Sequence, residues 1–410
     1  MSIKKLLAVV AVVAVTSGAA FAAEPPIRIG AMYALTGANA AIGTDIMRGV
    51  DFAVKMINEA GGVNGRMIEV VRGDTEGDAA KARSVAEKLV TQDHVDALLG
   101  CHQSTLTNIA AQVGEANEIP MITAISTVDN LSENGYEYFF RMCPMNSVYV
   151  RGMFDYLRDQ ARATGHEVKT ISIFADNSNI GQEIIRCAKI FAPDYGMEIV
   201  AIVEYQGGQP DMSSEVLTLK KANADAVIAE SYINDATLLM KTLQEQNYKP
   251  AIIVAKANGY TDPTFLQNNQ GISNGVASVV EWNPDLTKGK DVNAAFKKEY
   301  GIDMNGHSAE SFTATWILKT AFEAAGTTKG SAVKEALEKL DIQGKFPNGP
   351  EIILPYSRIK FENHTFAGKE HFHNNVFASI AIAQVQDGAY KTVWPLEYAG
   401  AKIQYPAQYK

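Results

Sequence analysis

The sequence contains few cysteines, and their spacing does not suggest a metal or redox site. Cys101, Cys143 and Cys187 are scattered along 410 residues without a C-x-x-C pair. An odd number of cysteines leaves at least one thiol free unless two chains are cross-linked. One structural disulfide is compatible with the sequence, but buried free thiols fit the apolar character of cysteine better. Zinc binding and dithiol redox chemistry are therefore not expected.

Positive charge is also scarce. The chain has 37 Lys and Arg residues against 46 Asp and Glu residues, which gives a formal net charge of −9. This balance provides no electrostatic attraction to nucleic acid or to anionic lipid. We therefore expect no nucleic-acid partner.

A hydrophobic run long enough to span a membrane is missing as well. The apolar run near the N-terminus, Leu6–Val15, is only about ten residues long, whereas a transmembrane helix needs about 20. Two lysines precede it, and Ala20-Phe21-Ala22 follows as an A-x-A cleavage site. The pattern predicts a signal peptide over residues 1–22, cleaved near Ala22/Ala23, with a retained N-terminal anchor as the alternative. We expect an exported, soluble protein of the periplasm.

Catalytic motifs are absent where an enzyme would show them. The sequence has no G-x-S-x-G elbow, no P-loop and no H-E-x-x-H helix. The glycine-rich segment 61–65 follows a predicted helix and precedes a strand, the reverse of a dinucleotide loop, so it is interpreted as a turn. His371 and His373 could face the same way on a strand, but a metal site would need further ligands. We predict no catalytic residues, no metal and no cofactor.

What the sequence does contain is a regular alternation of strands and helices. One βα series runs over residues 27–123, and a second runs from about Asn146 to 254. Helical segments return after Trp282, and residues 351–394 are strand-like. Removing 22 residues from 410 leaves 388, more than one hydrophobic core usually serves. The pattern predicts an α/β fold of two lobes, each with a parallel sheet covered by helices.

Two predicted strand ends are rich in hydroxyl groups. Residues 100–105 (GCHQST) close one strand and open a helix, and residues 123–127 (TAIST) follow a later strand. We expect Ser104 to be the N-cap of its helix, beside unpaired backbone N–H groups. Such helix N-termini bind carboxylates and phosphates, and ligands of open α/β sheets lie beyond the carboxyl ends of the strands. Ordinary helix capping is the alternative interpretation.

Several short segments of the sequence are typical of one known family. They are Ile29-Gly30, Leu35-Thr36-Gly37, Ile57-Asn58-Glu59-Ala60-Gly61-Gly62-Val63-Asn64-Gly65, Asp74, Ile119-Pro120-Met121-Ile122-Thr123, Asn134-Gly135-Tyr136 and Phe140-Arg141. Through these segments the chain resembles the periplasmic substrate-binding proteins of branched-chain and hydrophobic amino-acid ABC importers, the leucine/isoleucine/valine-binding type, over nearly its whole mature length.

This resemblance implies a type I periplasmic binding fold. Two doubly wound lobes with parallel sheets would be joined by three crossovers and would close on the ligand like a hinged trap. We assign residues 23–146 and 282–370 to the first lobe. Residues 147–281 and 371–410 are assigned to the second.

The resemblance also implies a set of ligand-binding residues. The positions that bind the ligand carboxylate fall on Ser104, on the backbone of Ile125 and Ser126, and on Thr127. They coincide with the two hydroxyl-rich strand ends. A tyrosine that closes over the ligand from the second lobe falls on Tyr232.

Other positions depart from the family pattern. Asn258 stands where the family places a glutamate against the ligand ammonium, and Ile180 stands where a tyrosine serves that ammonium. Ile42 replaces a bulky or aromatic residue, and Glu76 and Gln103 replace the usual disulfide cysteines. A hydrophobic amino acid is the ligand that the family implies. Burying an unpaired ammonium costs several kcal/mol, so Asn258 and Ile180 point instead to an amine-free aromatic or oxo acid. Both ligand classes are kept as expectations.

The expected function is therefore capture of a small carboxylate for an ABC permease and ATPase complex, by a monomeric protein. A sensory protein that presents the same ligand to a membrane receptor is the alternative. An exported enzyme is disfavoured, because the sequence shows no nucleophile–base pair and no cluster of metal ligands.

Overall fold

The structure is a computed structural model that describes residues 24–37, 39–261 and 263–409. The predicted signal peptide, residues 1–22, and its cleavage site near Ala22/Ala23 lie outside the described residues. Within the described ranges, no helix combines the length and the apolar character needed to cross a membrane.

The described residues form fifteen strands in two sheets. They are β1 Ile27–Tyr33, β2 Ile68–Asp74, β3 Ala97–Gly100, β4 Met121–Thr123, β5 Phe139–Arg141, β6 Thr170–Asp176, β7 Glu198–Tyr205, β8 Ala226–Glu230, β9 Ile253–Lys256, β10 Ala277–Val280, β11 Asp341–Gln343, β12 Arg358–Phe366, β13 Lys369–Asn375, β14 Ala381–Gln386 and β15 Ala389–Trp394.

Helices connect most of these strands. They are α1 Ala40–Glu59, α2 Ala79–Thr91, α3 Ser104–Ala116, α4 Asn146–Thr164, α5 Asn179–Phe191, α6 Ser213–Ala222, α7 Ile233–Glu245, α8 Pro263–Asn268, α9 Lys290–Tyr300, α10 Gly306–Ala325 and α11 Gly330–Glu338.

The strands form one sheet in each of two lobes. The first sheet has the order β11-β12-β13-β5-β4-β3-β1-β2, and the second has the order β15-β14-β10-β9-β8-β6-β7. Each sheet is parallel except at one edge. The antiparallel pairs are β11–β12 and β12–β13 in the first sheet, and β10–β14 and β14–β15 in the second. The predicted α/β fold of two doubly wound lobes, the type I periplasmic binding fold, is confirmed.

The chain passes between the two sheets three times within the described residues. It crosses between β5 and β6, returns between β10 and β11, and crosses again between β13 and β14. The boundary predicted at 370/371 is wrong by a few residues, because it falls inside β13. This strand pairs with β5 through Asn374 and Arg141, so the first sheet extends to Asn375.

Burial explains why the central strands are so apolar. All residues of β3, β4, β8 and β9 are buried, as expected for a parallel sheet with both faces covered. In the first lobe, α1 packs closely on α10. A Cβ atom on Gly49 of α1 would lie 2.2 Å from the Ser308 carbonyl oxygen of α10, so only glycine allows this approach.

The cysteines are free, as favoured from the sequence. All three, Cys101, Cys143 and Cys187, are buried and unpaired. Burial raises the pKa of the Cys101 thiol to about 12, so it stays protonated near neutral pH.

Candidate functional site

The first wall of the site is formed where β3 and β4 end side by side in the first sheet. The helix α3 starts at Ser104, and the N-cap residue is Gln103, whose side chain makes no capping hydrogen bond. The prediction that Ser104 is the N-cap is therefore wrong by one residue. The reason is that Gln103 has the extended backbone of a cap, with φ −81° and ψ 124°. The hydroxyl of Ser104 is consequently not used for capping.

Two of the predicted hydroxyl groups have no protein partner among the described residues. Ser104 and Thr127 are both half-buried, and the side-chain oxygen of neither forms a hydrogen bond with the described chain. Both hydroxyls are therefore available to a ligand, and each can donate one hydrogen bond.

Ser126 has a different role, because its polar groups are already engaged. Its hydroxyl lies 2.5 Å from Thr107 Oγ1 and donates toward the carbonyl oxygens of Cys101 at 3.0 Å and His102 at 3.1 Å. Its backbone N–H donates to Thr123 Oγ1 at 3.2 Å. Ser126 thus ties the loop after β4 to the loop after β3.

The loop after β4 is also anchored to the first crossover between the lobes. The Thr127 carbonyl accepts hydrogen bonds from the backbone N–H of Asn146 at 2.8 Å and from the Arg141 guanidinium at 3.2 Å. Ile125 lies two residues before Thr127, and its side chain packs on the core of the first lobe. Its backbone groups form no hydrogen bond with the described chain. The loop is therefore held rigidly while Thr127 Oγ1 and the Ile125 backbone stay free.

The second wall carries Tyr232 at the N-terminus of α7. Its side chain makes no capping hydrogen bond and is 45% exposed. Four other aromatic residues, Tyr149, Tyr205, Tyr260 and Trp282, are buried. Tyr232 is therefore the one of these five rings that can move onto a ligand.

Asn258 begins a short 3-10 turn directly after β9. Its side chain lies outside the described part of the structure. A Cβ atom on Gly259 would lie 2.3 Å from the Ser231 carbonyl oxygen, so this turn packs against the segment that leads to Tyr232. The backbone of Asn258 is thus near the predicted closing tyrosine.

The two isoleucines lie on opposite lobes. Ile42 is in the first turn of α1, half-buried against the core of the first lobe, and Ile180 is in the first turn of α5, packed on the core of the second. Ile180 and Ser104 line the same cavity of about 750 Å³ between the lobes, together with Asn146 and Glu183. This volume lies within the range of small-molecule sites. Ile42 does not line this cavity.

Sequence reasoning missed three ionisable side chains on the second lobe. Asp176, Glu230 and Lys256 are the last residues of β6, β8 and β9, which are neighbours in the sheet. They are 4%, 0% and 9% exposed. The signal was a charged residue at the end of an apolar run, as in Ala-Val-Ile-Ala-Glu and Ile-Val-Ala-Lys.

The charge states of Glu230 and Lys256 are set mainly by burial. Burial and the nearby Asp176 carboxylate raise the pKa of Glu230 to about 7. Its Oε2 accepts a hydrogen bond from the Asp176 backbone N–H at 3.2 Å, whereas its Oε1 has no partner. Burial lowers the pKa of Lys256 to about 8, despite the opposing effect of Glu281. Lys256 is therefore mostly charged at neutral pH, and Glu230 is only partly charged.

Within the described ranges, one group of side chains has the donor atoms to hold a metal ion. Donor atoms of Asp129, Glu183 and Cys187 lie within 4.8 Å of one another. The Arg186 guanidinium already occupies this region, 2.5 Å from Glu183 Oε1 and 3.8 Å from Asp129 Oδ2. Burial also raises the pKa of the Cys187 thiol, and a metal needs the thiolate. The donor set therefore does not fit a metal.

The histidines considered for metal binding have separate neighbours. His371 Nδ1 lies 3.3 Å from Ser132 Oγ. The His373 ring stacks on Phe140 with a centroid distance of 4.6 Å. Each ring is thus explained by its own packing.

Taken together, the fold and the site define a class of protein. Ser104 at a strand end of the first lobe and Ile180 of the second lobe line one cavity, whereas Thr127 and the exposed Tyr232 do not line it. This is the arrangement of a two-lobed ligand-binding protein that closes around a small molecule.

Comparison with known proteins identifies the family. The profile of the periplasmic binding protein family matches residues 26–388. The Leu/Ile/Val-binding protein homolog 7 of Brucella suis is 30% identical over 414 residues, covering 98% of this chain and 100% of the relative. Homolog 8 of the same organism is 29% identical over 403 residues, covering 96% of each chain. The chain belongs to the periplasmic binding protein family, as a substrate-binding protein of the branched-chain amino acid ABC transporter type.

Solved structures share the fold. The branched-chain amino acid substrate-binding protein LivJ of Streptococcus pneumoniae, in complex with isoleucine, superposes with a TM-score of 0.69 at 24% identity, covering 93% of this chain and 100% of LivJ. A putative branched-chain amino acid ABC transporter protein of Silicibacter pomeroyi has a TM-score of 0.80 at 19% identity, covering 93% and 99%. The resemblance inferred from the sequence is confirmed, and the family is one of transport components and not of enzymes.

Proposed function

We propose that this protein is the periplasmic solute-binding component of an ABC importer and that it captures a small carboxylate ligand between its lobes. The observation that carries the proposal is a pair of hydroxyls, those of Ser104 and Thr127, at adjacent strand ends of the first lobe. Neither has a hydrogen-bond partner in the described part of the chain. Ser104 also opens onto the cavity between the lobes.

The N-terminus of α3 favours a carboxylate at this position. The first hydrogen bond of helix α3 runs from the Thr107 N–H to the Gln103 carbonyl. The N–H groups of residues 104–106 therefore have no partner within the helix. Unpaired N–H groups and the helix dipole attract an anion. The two hydroxyls and these N–H groups together can satisfy both oxygens of one carboxylate.

The rest of the ligand is proposed to be apolar. Ile180 lines the cavity, and Tyr232 is the exposed ring that can close over the ligand. We place Ile42 and the Asn258 turn at the margin of the site. A hydrophobic or branched-chain amino acid and an amine-free aromatic or oxo acid both fit this description. Contacts to both lobes would favour the closed state, which the membrane permease recognises.

Thermal unfolding of refolded, ligand-stripped protein spanning residues 23–410 tests this proposal. Leucine, isoleucine, phenylalanine, their 2-oxo analogues and benzoate form the panel. A ligand at a hundred times its dissociation constant adds about 2.7 kcal/mol of stability. We expect at least one carboxylate to raise the melting temperature, and its amide to have no effect.

The variant Ser104→Ala/Thr127→Val should abolish that stabilisation. Thr218→Ala is the matched control, because Thr218 is exposed on α6 and its hydroxyl donates to the Ser214 carbonyl of the same helix. The proposal would be contradicted if no carboxylate of the panel raised the melting temperature, or if the double variant were stabilised as much as the wild type.

A further inference from the structure

Lys256 is a buried cation without an ion-pair partner in the described chain. Its ammonium donates one hydrogen bond, to Asn146 Oδ1 at 2.6 Å, and lies 4.7 Å from the centroid of the Tyr149 ring. No described carboxylate pairs with it, although Glu230 is its register partner on β8. An ammonium has three donors, so two remain for another acceptor.

The surroundings of Lys256 connect it with the proposed carboxylate site. Asn146 lines the cavity between the lobes together with Ser104. The same residue donates its backbone N–H to the Thr127 carbonyl at 2.8 Å. Two consecutive hydrogen bonds of Asn146 therefore join the Thr127 loop of the first lobe to the Lys256 ammonium of the second.

A cation in this place discriminates between ligands. It attracts an oxygen acceptor and repels an ammonium, and the low dielectric of a closed cleft strengthens both effects. An amino acid carries an ammonium on the carbon next to its carboxylate. A 2-oxo or 2-hydroxy acid carries an oxygen there, which can accept a hydrogen bond from lysine.

Building on the proposed function, we infer that Lys256 donates a hydrogen bond to the ligand oxygen beside the carboxylate. The protein thereby selects 2-oxo or 2-hydroxy acids with an apolar tail over the corresponding 2-amino acids. Lys256 is the specificity-determining residue, while Ser104 and Thr127 hold the carboxylate that all three ligand types share.

Glu230 is the residue that would support the opposite preference. Its Oε1 is buried without a partner and could accept a hydrogen bond from a ligand ammonium. It is fully buried, however, and its pKa of about 7 leaves much of it uncharged at neutral pH. A partly neutral carboxyl group beside Lys256 is a weak counter-charge for a second cation.

Isothermal titration of the ligand-stripped protein with leucine, 4-methyl-2-oxopentanoate and 2-hydroxy-4-methylpentanoate tests the inference. We expect the oxo or hydroxy acid to bind at least about tenfold more tightly than leucine, since a hydrogen bond to a charged group has about that effect. Lys256→Gln should reduce the affinity for that acid about tenfold and remove the preference. Lys221→Gln, which changes an exposed lysine of α6, should leave the affinities for all three acids unchanged.

The outcomes separate this inference from the proposed function. Tighter binding of leucine by the wild-type protein, lost in Glu230→Gln, would overturn the inference and leave the carboxylate-binding function standing. A Lys256→Gln variant that is less stable but keeps the wild-type ligand preference would also overturn it. Binding of none of the three acids would contradict both. If Lys256→Gln does not fold, the wild-type preference and the retention of that preference by Lys256→Arg decide the matter.

Discussion

The two walls of the cleft differ in the kind of polar group they present. The first lobe offers neutral hydroxyls and helix N–H groups. The Ser104 and Thr127 hydroxyls have no hydrogen-bond partner among the residues that the structure describes, and Ser126 joins their two loops by hydrogen bonds. The second lobe ends its central strands with buried ionisable groups, including Glu230 and Lys256. Neutral donors suit a group common to many ligands, whereas a buried charge is selective because a like charge cannot approach it. The comparison suggests that one lobe holds the carboxylate and the other selects its neighbour.

The largest effect should come from the first wall. Ser104→Ala/Thr127→Val removes two hydrogen bonds to a charged group, each worth about 1.5–3 kcal/mol. We expect the affinity for every carboxylate ligand to fall by about a hundredfold or more, measured by titration calorimetry. A loss confined to one ligand class would break the division of roles between the lobes.

The free energy of unfolding should depend on pH through Glu230 of the second wall. Because the folded-state pKa of Glu230 is raised from 4.5 to about 7, the folded protein binds the proton more tightly than the unfolded chain. Stability from this group is present below about pH 4.5 and is lost as the pH rises to about 7. The loss is of order 3 kcal/mol at 1.36 kcal/mol per pKa unit.

Glu230→Gln removes this titration. We expect the variant to be more stable than the wild type at pH 8 and similar to it near pH 4.5, measured by urea unfolding. Glu245→Gln, which changes an exposed carboxylate on α7, is the control. Equal stability of Glu230→Gln and the wild type at pH 8 would show that Glu230 is not buried in a charged state.

Ligand binding should also depend on pH through the second wall. The pKa of Lys256 is lowered to about 8 by burial, while Glu281, Asp129 and Glu230 oppose that shift. Affinity for the 2-oxo acid should fall about tenfold between pH 7 and pH 9, as Lys256 loses its proton. In Lys256→Arg the tenfold fall should be lost over this range, since arginine remains charged. A constant affinity in the wild type would exclude Lys256 from the ligand contact.

The smallest effect should come from the hydrogen bonds of Ser126, which join the two loops of the first wall. Ser126→Ala removes the hydroxyl that joins Thr107 to the two loops. We expect a loss of about 1 kcal/mol in the free energy of unfolding, measured by urea denaturation, with the ratio of ligand affinities unchanged. A change in that ratio would mean that Ser126 contacts the ligand directly.

The sequence predicted the fold and the first wall better than the second. Parallel strands and their helices leave a strong periodic signal, and a loop between them, such as the one that contains Ser104, lies at a known edge of the sheet. The roles of Glu230 and Lys256 depend on the pairing of β8 with β9 and on the approach of Asn146 from another element. Neither is visible in the local sequence. The end of the first lobe was misplaced for the same reason, because β13 is assigned by its pairing with β5.

The most direct measurement is the ratio of the affinities for 4-methyl-2-oxopentanoate and leucine in the wild type, in Ser104→Ala/Thr127→Val and in Lys256→Gln. The account predicts that the first variant weakens both ligands about equally and keeps the ratio, while the second changes the ratio by about tenfold. A ratio that changes in the first variant, or that stays constant in the second, would contradict the division of labour between the two lobes.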